Sequence, residues 1–236
     1  MSRRFVDRRE AGRLLGQRLA GMALASPVVV LALPRGGVPV GAEVARALGA
    51  PLDLLLVRKI GVPWQRELAL AAVVDGDEPQ VVVDDEVQRA SGVERAYIDA
   101  EAARELREIE RRRRVYLHGR APLSVAGATA VVVDDGIATG TSVRAALKAL
   151  RRRSPARLVL AVPVAPADTL LALRPEVDDV VCLAQPQPFH AIGLHYEDFH
   201  QLDDAEVLAD LETPAAAPPH PRPRGAGDPP PRTGER

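Results

Sequence analysis

Short apolar runs recur along the first two thirds of the chain, and each is apolar on both of its alternating faces. Strands that are buried on both sides of a sheet have this pattern, because neither face meets water. We therefore predict four such strands, at residues 28–33, 52–57, 129–134 and 158–162.

Helical patterns lie near these runs, at residues 38–48, 142–152 and 168–173. Each is short enough to serve as a crossover between neighbouring strands. Strands alternating with helices predict the α/β class, with a parallel sheet flanked by helices on both faces. Ligands of such sheets bind beyond the carboxyl ends of the strands, so the residues that follow the strands are the candidates for a site.

A longer helix is predicted at residues 94–114, where apolar residues recur at helical spacing. Ser91, with Glu94 three residues later, forms a predicted capping box at its start. The four arginines at residues 111–114 are interpreted as part of a charged outer face, because such runs usually coat a solvated helix.

Residues 213–236 differ from the rest of the chain, since they contain 8 of its 21 prolines and no Val, Ile, Leu, Met or aromatic residue. Such a segment buries too little apolar area to offset the entropy of ordering it. We predict one folded domain at residues 1–212, followed by a disordered proline-rich tail.

The overall composition limits the classes of function. There are 31 Lys and Arg against 32 Asp and Glu, and only 3% of the residues are aromatic. A dedicated nucleic-acid-binding protein is not expected, because it would need a basic surface and stacking platforms. No apolar run approaches the roughly 20 residues of a membrane span. The single cysteine, Cys182, and the lack of an apolar signal core predict a cytoplasmic protein.

The strongest chemical signal is the segment 131–142, which reads Val-Val-Val-Asp-Asp-Gly-Ile-Ala-Thr-Gly-Thr-Ser. A buried strand ends in two carboxylates, and a turn rich in glycine and hydroxyl groups then opens a helix. Backbone N–H groups in such a turn can bind an anion, whereas the carboxylates would repel it and suit a neutral polyol or a metal. The pattern predicts a sugar phosphate site, with Asp134 and Asp135 toward the ribose hydroxyls and residues 138–142 around its 5′-phosphate.

Two other phosphate motifs fit this segment poorly. A Walker-type loop needs a lysine after the glycine, but Thr141 follows Gly140. A dinucleotide fingerprint needs three spaced glycines, and this turn has only two. Residues 81–86 repeat the Val-Val-Val-Asp-Asp pattern but continue into a charged helical pattern without the glycine turn.

The segment 131–142 resembles the phosphoribosyl pyrophosphate motif of the type I phosphoribosyltransferases. A second segment, Leu-Pro-Arg-Gly-Gly-Val at residues 33–38, resembles the family's pyrophosphate loop. The resemblance implies that Arg35, Gly36 and Gly37 contact pyrophosphate, and that the peptide bond before Arg35 is cis. Glycine there would let the backbone approach an anion, and the arginine guanidinium could bind two oxygens.

The resemblance also implies which residues cover the site. It implies a basic residue near the pyrophosphate, either Arg58 or Lys59, and a mobile loop at residues 61–68 in which Glu67 would touch ligand or magnesium. The alternative for Glu67 is the start of a strand, because an apolar stretch follows it.

The family also has a small hood over the acceptor, which we expect from the N-terminal helix and residues 185–200. Tyr196, with Phe189 and Phe199, could offer a platform to a flat acceptor, and packing under a proline-rich loop explains these aromatics equally well.

The implied function is transfer of a 5-phosphoribosyl group from phosphoribosyl pyrophosphate to a nitrogen acceptor, with release of pyrophosphate. The implied cofactor is Mg²⁺, held mainly by the donor, and Asp134 and Asp135 are the residues that could add ligands to it. A homo-oligomer is compatible with the sequence, and the rival hypothesis is a regulatory protein that binds a nucleotide or phosphoribosyl pyrophosphate without turnover. The residues implied in catalysis are Arg35, Asp134 and Asp135. Those implied in substrate binding are Gly36, Gly37, Lys59, Glu67, Ala138, Thr139, Gly140, Thr141, Ser142 and Tyr196.

One position departs from part of the family. Enzymes that act on 6-oxopurines carry an aspartate where this chain has Ala138. The resemblance therefore does not favour hypoxanthine or guanine as the acceptor.

Overall fold

The computed structural model describes residues 4–76 and 78–212. The predicted tail at residues 213–236 lies outside these residues. In the described part, no helix is both long enough and apolar enough to span a membrane. The elements in chain order are α1 (Arg8–Ala20), β1 (Val28–Ala32), α2 (Gly37–Leu48), β2 (Leu52–Leu54), β3 (Val57–Val62), β4 (Gln65–Val74), β5 (Gln80–Val83), α3 (Asp85–Ser91), α4 (Arg95–Leu117), β6 (Thr129–Val133), α5 (Thr141–Arg151), β7 (Arg157–Val164), α6 (Ala167–Leu173), β8 (Asp179–Ala184) and α7 (Asp204–Glu212).

Five strands form a parallel sheet in the order β2-β1-β6-β7-β8, which confirms the predicted fold class. Alternate residues of each strand face opposite layers of helices. Val30 and Val131 pack with α1 and α2, whereas Leu31 and Val132 pack with α5. The apolar runs were therefore correctly interpreted as strands buried on both faces.

The predicted strand at residues 52–57 is shorter than expected, because β2 ends at Leu54 and the chain then enters a second sheet. This sheet is antiparallel, with the strand order β3-β4-β5. The segment predicted as a mobile loop, residues 61–68, forms the tip of the β3–β4 hairpin, with Trp64 in the turn and 70% exposed. The alternative for Glu67 is confirmed, since β4 already begins at Gln65. Pairing with β3 and β5 accounts for the strand.

The long helix α4 is confirmed and extends to Leu117, but the predicted capping box is wrong. Ser91 ends the preceding helix α3, where its hydroxyl donates to the carbonyl oxygen of Gln88. The run of arginines is also not entirely an outer face. Arg113 is only 11% exposed and forms an ion pair of 2.7 Å with the buried Asp75, which joins α4 to the end of β4.

The N-terminal helix packs against α2 at very short range. A Cβ atom on Gly12 would lie 2.8 Å from the carbonyl oxygen of Val40, and one on Gly16 would lie 2.7 Å from the Cβ of Ala47. Real Cβ atoms essentially never approach so closely, so glycine at both positions sets the distance between the helices. This contact fixes the start of α1, where Arg8 lies.

Candidate active site

The two motif loops touch at the carboxyl edge of the parallel sheet. Strands β1 and β6 are neighbours, and the N–H of Leu33 donates to the carbonyl oxygen of Val133 across 2.9 Å. A Cβ atom on Gly36 would overlap the Asp135 carboxylate, and one on Gly37 would lie 2.8 Å from the same Val133 oxygen. Glycine at these positions therefore brings the pyrophosphate-like loop against the acidic pair. The peptide bond between Pro34 and Arg35 is cis, as the resemblance implied.

Both loops present backbone N–H groups that have no acceptor among the described residues. They belong to Arg35 and Gly36 in the first loop and to residues 138–142 in the second. Gly37 differs from the prediction, because its N–H already donates to the carbonyl oxygen of Leu33. Unpaired N–H groups thus follow both strands that end beside the two carboxylates, and groups of this kind can bind anions.

The second loop is shaped by a single residue in the left-handed region. Gly140 has φ of 73° and immediately precedes α5, whose first turn has no side-chain cap in the described part of the chain. The hydroxyls of Thr139 and Thr141 are 3.4 Å apart and exposed. Thr169 at α6 holds this loop in place by donating to the carbonyl oxygen of Ala138 across 2.9 Å. Hydroxyls and helix N–H groups thus converge where an anion would bind.

The two carboxylates of the acidic pair have different environments. Asp134 is partly exposed, and no cation forms an ion pair with it in residues 4–76 and 78–212. Burial and the neighbouring Asp135 raise the pKa of Asp134 well above its usual range. Burial also raises the pKa of Asp135, but an ion pair with Arg8 opposes this increase. A carboxylate that has no ion pair in the described residues, Asp134, thus lies next to one that is paired with Arg8, Asp135.

Arg8 is a site residue that the sequence analysis missed. It is 8% exposed, and its Nε donates to Oδ2 of Asp135 across 2.8 Å. A signal for it exists in the sequence, since Arg8 lies on the same face of α1 as Ala11, Leu15 and Leu19. A charged residue on an otherwise apolar helix face needs a buried partner.

Tyr196 is buried rather than available to a ligand. Its ring is 1% exposed and packs against Phe5 and Phe199, at centroid distances of 5.5 and 5.0 Å. Its hydroxyl donates to the carbonyl oxygen of Asp135 across 2.5 Å. The structure thus corrects the prediction of an acceptor platform on Tyr196 and supports the packing alternative.

Arg35 is engaged by the C-terminal segment of the described chain. Its Nη1 donates to the carbonyl oxygen of Leu202 across 2.6 Å, and its Nε lies 3.9 Å from a carboxylate oxygen of Asp204. The side chain remains 42% exposed. The guanidinium therefore stands beside the first loop and keeps donors for a further ligand.

Arg58 and Lys59 point to opposite sides of β3, because neighbouring residues of a strand alternate. Lys59 lines a cleft of 480 Å³ between the antiparallel sheet and α5, and Thr141 lines the same cleft. Arg58 instead forms an ion pair of 2.6 Å with Glu105 of α4. Glu67 is exposed near the hairpin tip and is not among the residues that line this cleft.

Asp84 of the repeated Val-Val-Val-Asp-Asp pattern has a structural role at the start of α3, although both Asp84 and Asp85 also line the cleft that contains Lys59 and Thr141. The Asp84 carboxylate accepts the N–H groups of Glu86 and Val87 as the N-cap. In the described residues, no three His, Cys, Asp or Glu side chains are grouped so as to hold a metal by themselves. The acidic pair at residues 134–135 could supply at most part of a metal's coordination.

Comparison with known proteins identifies the family. The phosphoribosyl transferase domain model matches residues 7–197. Two curated Mycobacterium tuberculosis proteins, each described as a candidate phosphoribosyl transferase, are 46% identical over 208 residues, which is 88% of this chain and 46% of each relative. The chain thus spans about half the length of these relatives.

The crystal structure of TT1426 from Thermus thermophilus is 44% identical with a TM-score of 0.77, covering 88% of this chain and 97% of that chain. Together with the two loops at the sheet edge, the match over most of its length shows that the chain belongs to the phosphoribosyl transferase domain family.

Proposed function

We propose that the protein transfers a 5-phosphoribosyl group from phosphoribosyl pyrophosphate to a nitrogen acceptor and releases pyrophosphate. The observation that supports this most directly is the pair of loops with unpaired N–H groups on either side of the acidic pair. The donor has a phosphate at one end, a pyrophosphate at the other and a neutral diol between them. Its charge pattern is therefore complementary to the charge pattern of this edge of the sheet.

In this proposal each end of the donor has its own loop. The 5′-phosphate binds the N–H groups and hydroxyls of residues 138–142, at the start of α5. The pyrophosphate binds the N–H groups of Arg35 and Gly36, the Arg35 guanidinium and the ammonium of Lys59. These groups stabilise the negative charge that develops on the leaving pyrophosphate, which lowers the barrier to breaking the C1′–O bond.

The acidic centre orients the ribose. The partly exposed Asp134 accepts hydrogen bonds from ribose hydroxyls, and Asp135 supports it from the buried side. Mg²⁺ usually keeps several waters and binds through one or two carboxylates plus substrate phosphates, so an acidic pair without further ligands fits an ion delivered by the donor. When bound, the ion would neutralise phosphate charge and help pyrophosphate to leave.

The experiment that tests the proposal follows pyrophosphate release. The protein is incubated with magnesium, phosphoribosyl pyrophosphate and a panel of adenine-like, pyrimidine, orotate-like and oxopurine acceptors. Acceptor-dependent release of pyrophosphate is expected with at least one class. Binding of the donor without release, measured by calorimetry, would instead support the regulatory protein. Absence of donor binding in the presence of magnesium would contradict the proposed function.

A further inference from the structure

Arg8 contacts only one of the two carboxylates of the acidic pair, that of Asp135. The Arg8 guanidinium contacts two segments of the chain, at Asp135 and at residues 199–200. Its Nε binds Asp135, its Nη1 donates to the carbonyl oxygen of His200 across 3.0 Å, and its carbon lies 3.9 Å from the centroid of the Phe199 ring. These contacts fix the guanidinium on two polar sides and one aromatic face.

Asp135 is immobilised from several directions. Its carboxylate binds Arg8, its N–H donates to Oδ1 of Asp134 across 2.8 Å, and its carbonyl oxygen accepts the Tyr196 hydroxyl. The backbone of Gly36 approaches so closely that even a Cβ atom would overlap this carboxylate. Asp135 therefore has little freedom to turn toward a ligand, whereas the partly exposed Asp134 has no such cation partner in the described residues.

We propose that Arg8 is a positioning residue of the donor site, which holds the Asp135 carboxylate in place beside Asp134 at the end of β6. This inference rests on the proposed function. It makes the beginning of the chain part of the donor site, although Arg8 is 127 residues away from Asp135 along the sequence. Without the guanidinium, an unpaired buried carboxylate would lie next to a second one, and their repulsion would displace both.

The test measures binding of phosphoribosyl pyrophosphate with magnesium by calorimetry in the full chain. Arg8→Met keeps the aliphatic stem and removes the charge, and we expect donor affinity to fall by about tenfold or more. Arg8→Lys restores the charge without the planar fork and should recover part of the loss. Arg13→Met is the matched control, because Arg13 lies on the same helix, is 54% exposed and is 3.9 Å from its partner Glu43; it should bind the donor as the unmodified protein does.

A double-mutant cycle distinguishes positioning of Asp135 by Arg8 from a general contribution of Arg8 to the stability of the fold. If Arg8 acts through Asp135, the variant Arg8→Met/Asp135→Asn should bind the donor no more weakly than the weaker of the two single variants. The double variant should also have a higher Tm than Arg8→Met, since it removes the unpaired charge, and it therefore serves if Arg8→Met fails to fold.

The positioning role would be overturned if the losses of donor affinity in the two single variants multiply in the double variant. Equal donor affinity in Arg8→Met and Arg13→Met would also overturn it. Should Arg8→Met not fold, weaker donor binding by Arg8→Met/Asp135→Asn than by Asp135→Asn would have the same force. Failure of the unmodified protein to bind the donor would be a different result, because it would contradict the proposed function itself.

Discussion

The hydroxyl of Tyr196 donates a hydrogen bond to the carbonyl oxygen of Asp135, 61 residues earlier in the chain. Both groups are buried, so water cannot replace either partner. The bond joins the segment after β8 directly to the strand end that carries the acidic pair. Packing at one end of the described chain thus influences the geometry of the carboxylates.

Replacing Tyr196 by Phe should therefore affect both stability and ligand binding. The variant keeps the aromatic packing but leaves a buried carbonyl without its donor, and we expect the free energy of unfolding to fall by about 1 kcal/mol. Donor affinity, measured by calorimetry, should fall as well. Tyr97→Phe is the control, because it removes a hydroxyl that donates to the carbonyl oxygen of Gly61 in β3 across 3.2 Å and does not bond to the acidic pair. Equal donor affinity in the two variants would contradict the coupling.

The acidic pair should matter more for donor use than the repeated pattern at β5. We expect Asp134→Asn and Asp135→Asn to reduce donor binding more than Asp84→Asn and Asp85→Asn do, because the earlier pair is separate from the two motif loops. Asn is also a good N-cap, so Asp84→Asn should leave the start of α3 intact. The comparison uses the same chemical change after two Val-Val-Val strands. Comparable losses in soluble, folded variants of both pairs would show that the choice between the strands is wrong.

Asp134→Asn should also make the protein more stable at neutral pH. Burial beside Asp135 raises the pKa of Asp134, so its ionised form is unfavourable in the folded state. Asparagine keeps an oxygen that can accept the N–H of Asp135. We expect the free energy of unfolding to rise by about 1 kcal/mol, measured by urea denaturation. A loss of stability would mean that the negative charge of Asp134 supports the fold.

A pH-dependent contribution to stability is expected from His200. Ion pairs of 2.9 Å with Asp198 and 2.8 Å with Glu206 raise the pKa of His200. Its contribution is complete below the unfolded value of 6.5 and is lost as the pH rises through the higher folded pKa. His200→Gln should therefore lower Tm more at about pH 6 than at about pH 9. His190→Gln, at an exposed position, is the control; a difference that is constant with pH would contradict this prediction.

Hypoxanthine and guanine are expected to be poor acceptors. Ala138 is exposed in the second loop and cannot act as a general base toward the N7 side of a 6-oxopurine, a contribution worth about 10²-fold or more. The pyrophosphate assay with a panel of bases measures this directly. Efficient nucleotide formation from guanine would show that another group supplies the base.

Local patterns predict most of the parallel sheet and both loops of the candidate site. The runs at β1, β6 and β7 are apolar on both faces, and the glycines and hydroxyls of residues 136–142 are contiguous in sequence. The antiparallel sheet was missed because the exposed half of β4, including Glu67, reads as a loop. The strand character of this exposed half arises from pairing with β3 rather than from its own composition, because β5 pairs only with residues 71–74.

The surroundings of the acidic pair are less predictable, because they depend on residues far apart in the chain. Arg8 and Tyr196 reach Asp135 only after α1 has packed on α2 and the segment after β8 has returned across the sheet edge. Periodicity shows that Arg8 shares an apolar face but does not identify its partner. An aromatic cluster likewise indicates burial or stacking equally well until its neighbours are known.

The hairpin tip gives the chain an intrinsic optical probe. Trp64 is the only tryptophan in the sequence, and it is 70% exposed in the turn between β3 and β4. Indole emission therefore reports the surroundings of this one turn. A ligand that draws the hairpin toward the cleft would move the indole out of water and shift its emission to shorter wavelength, so that closure could be followed in real time without attaching a label.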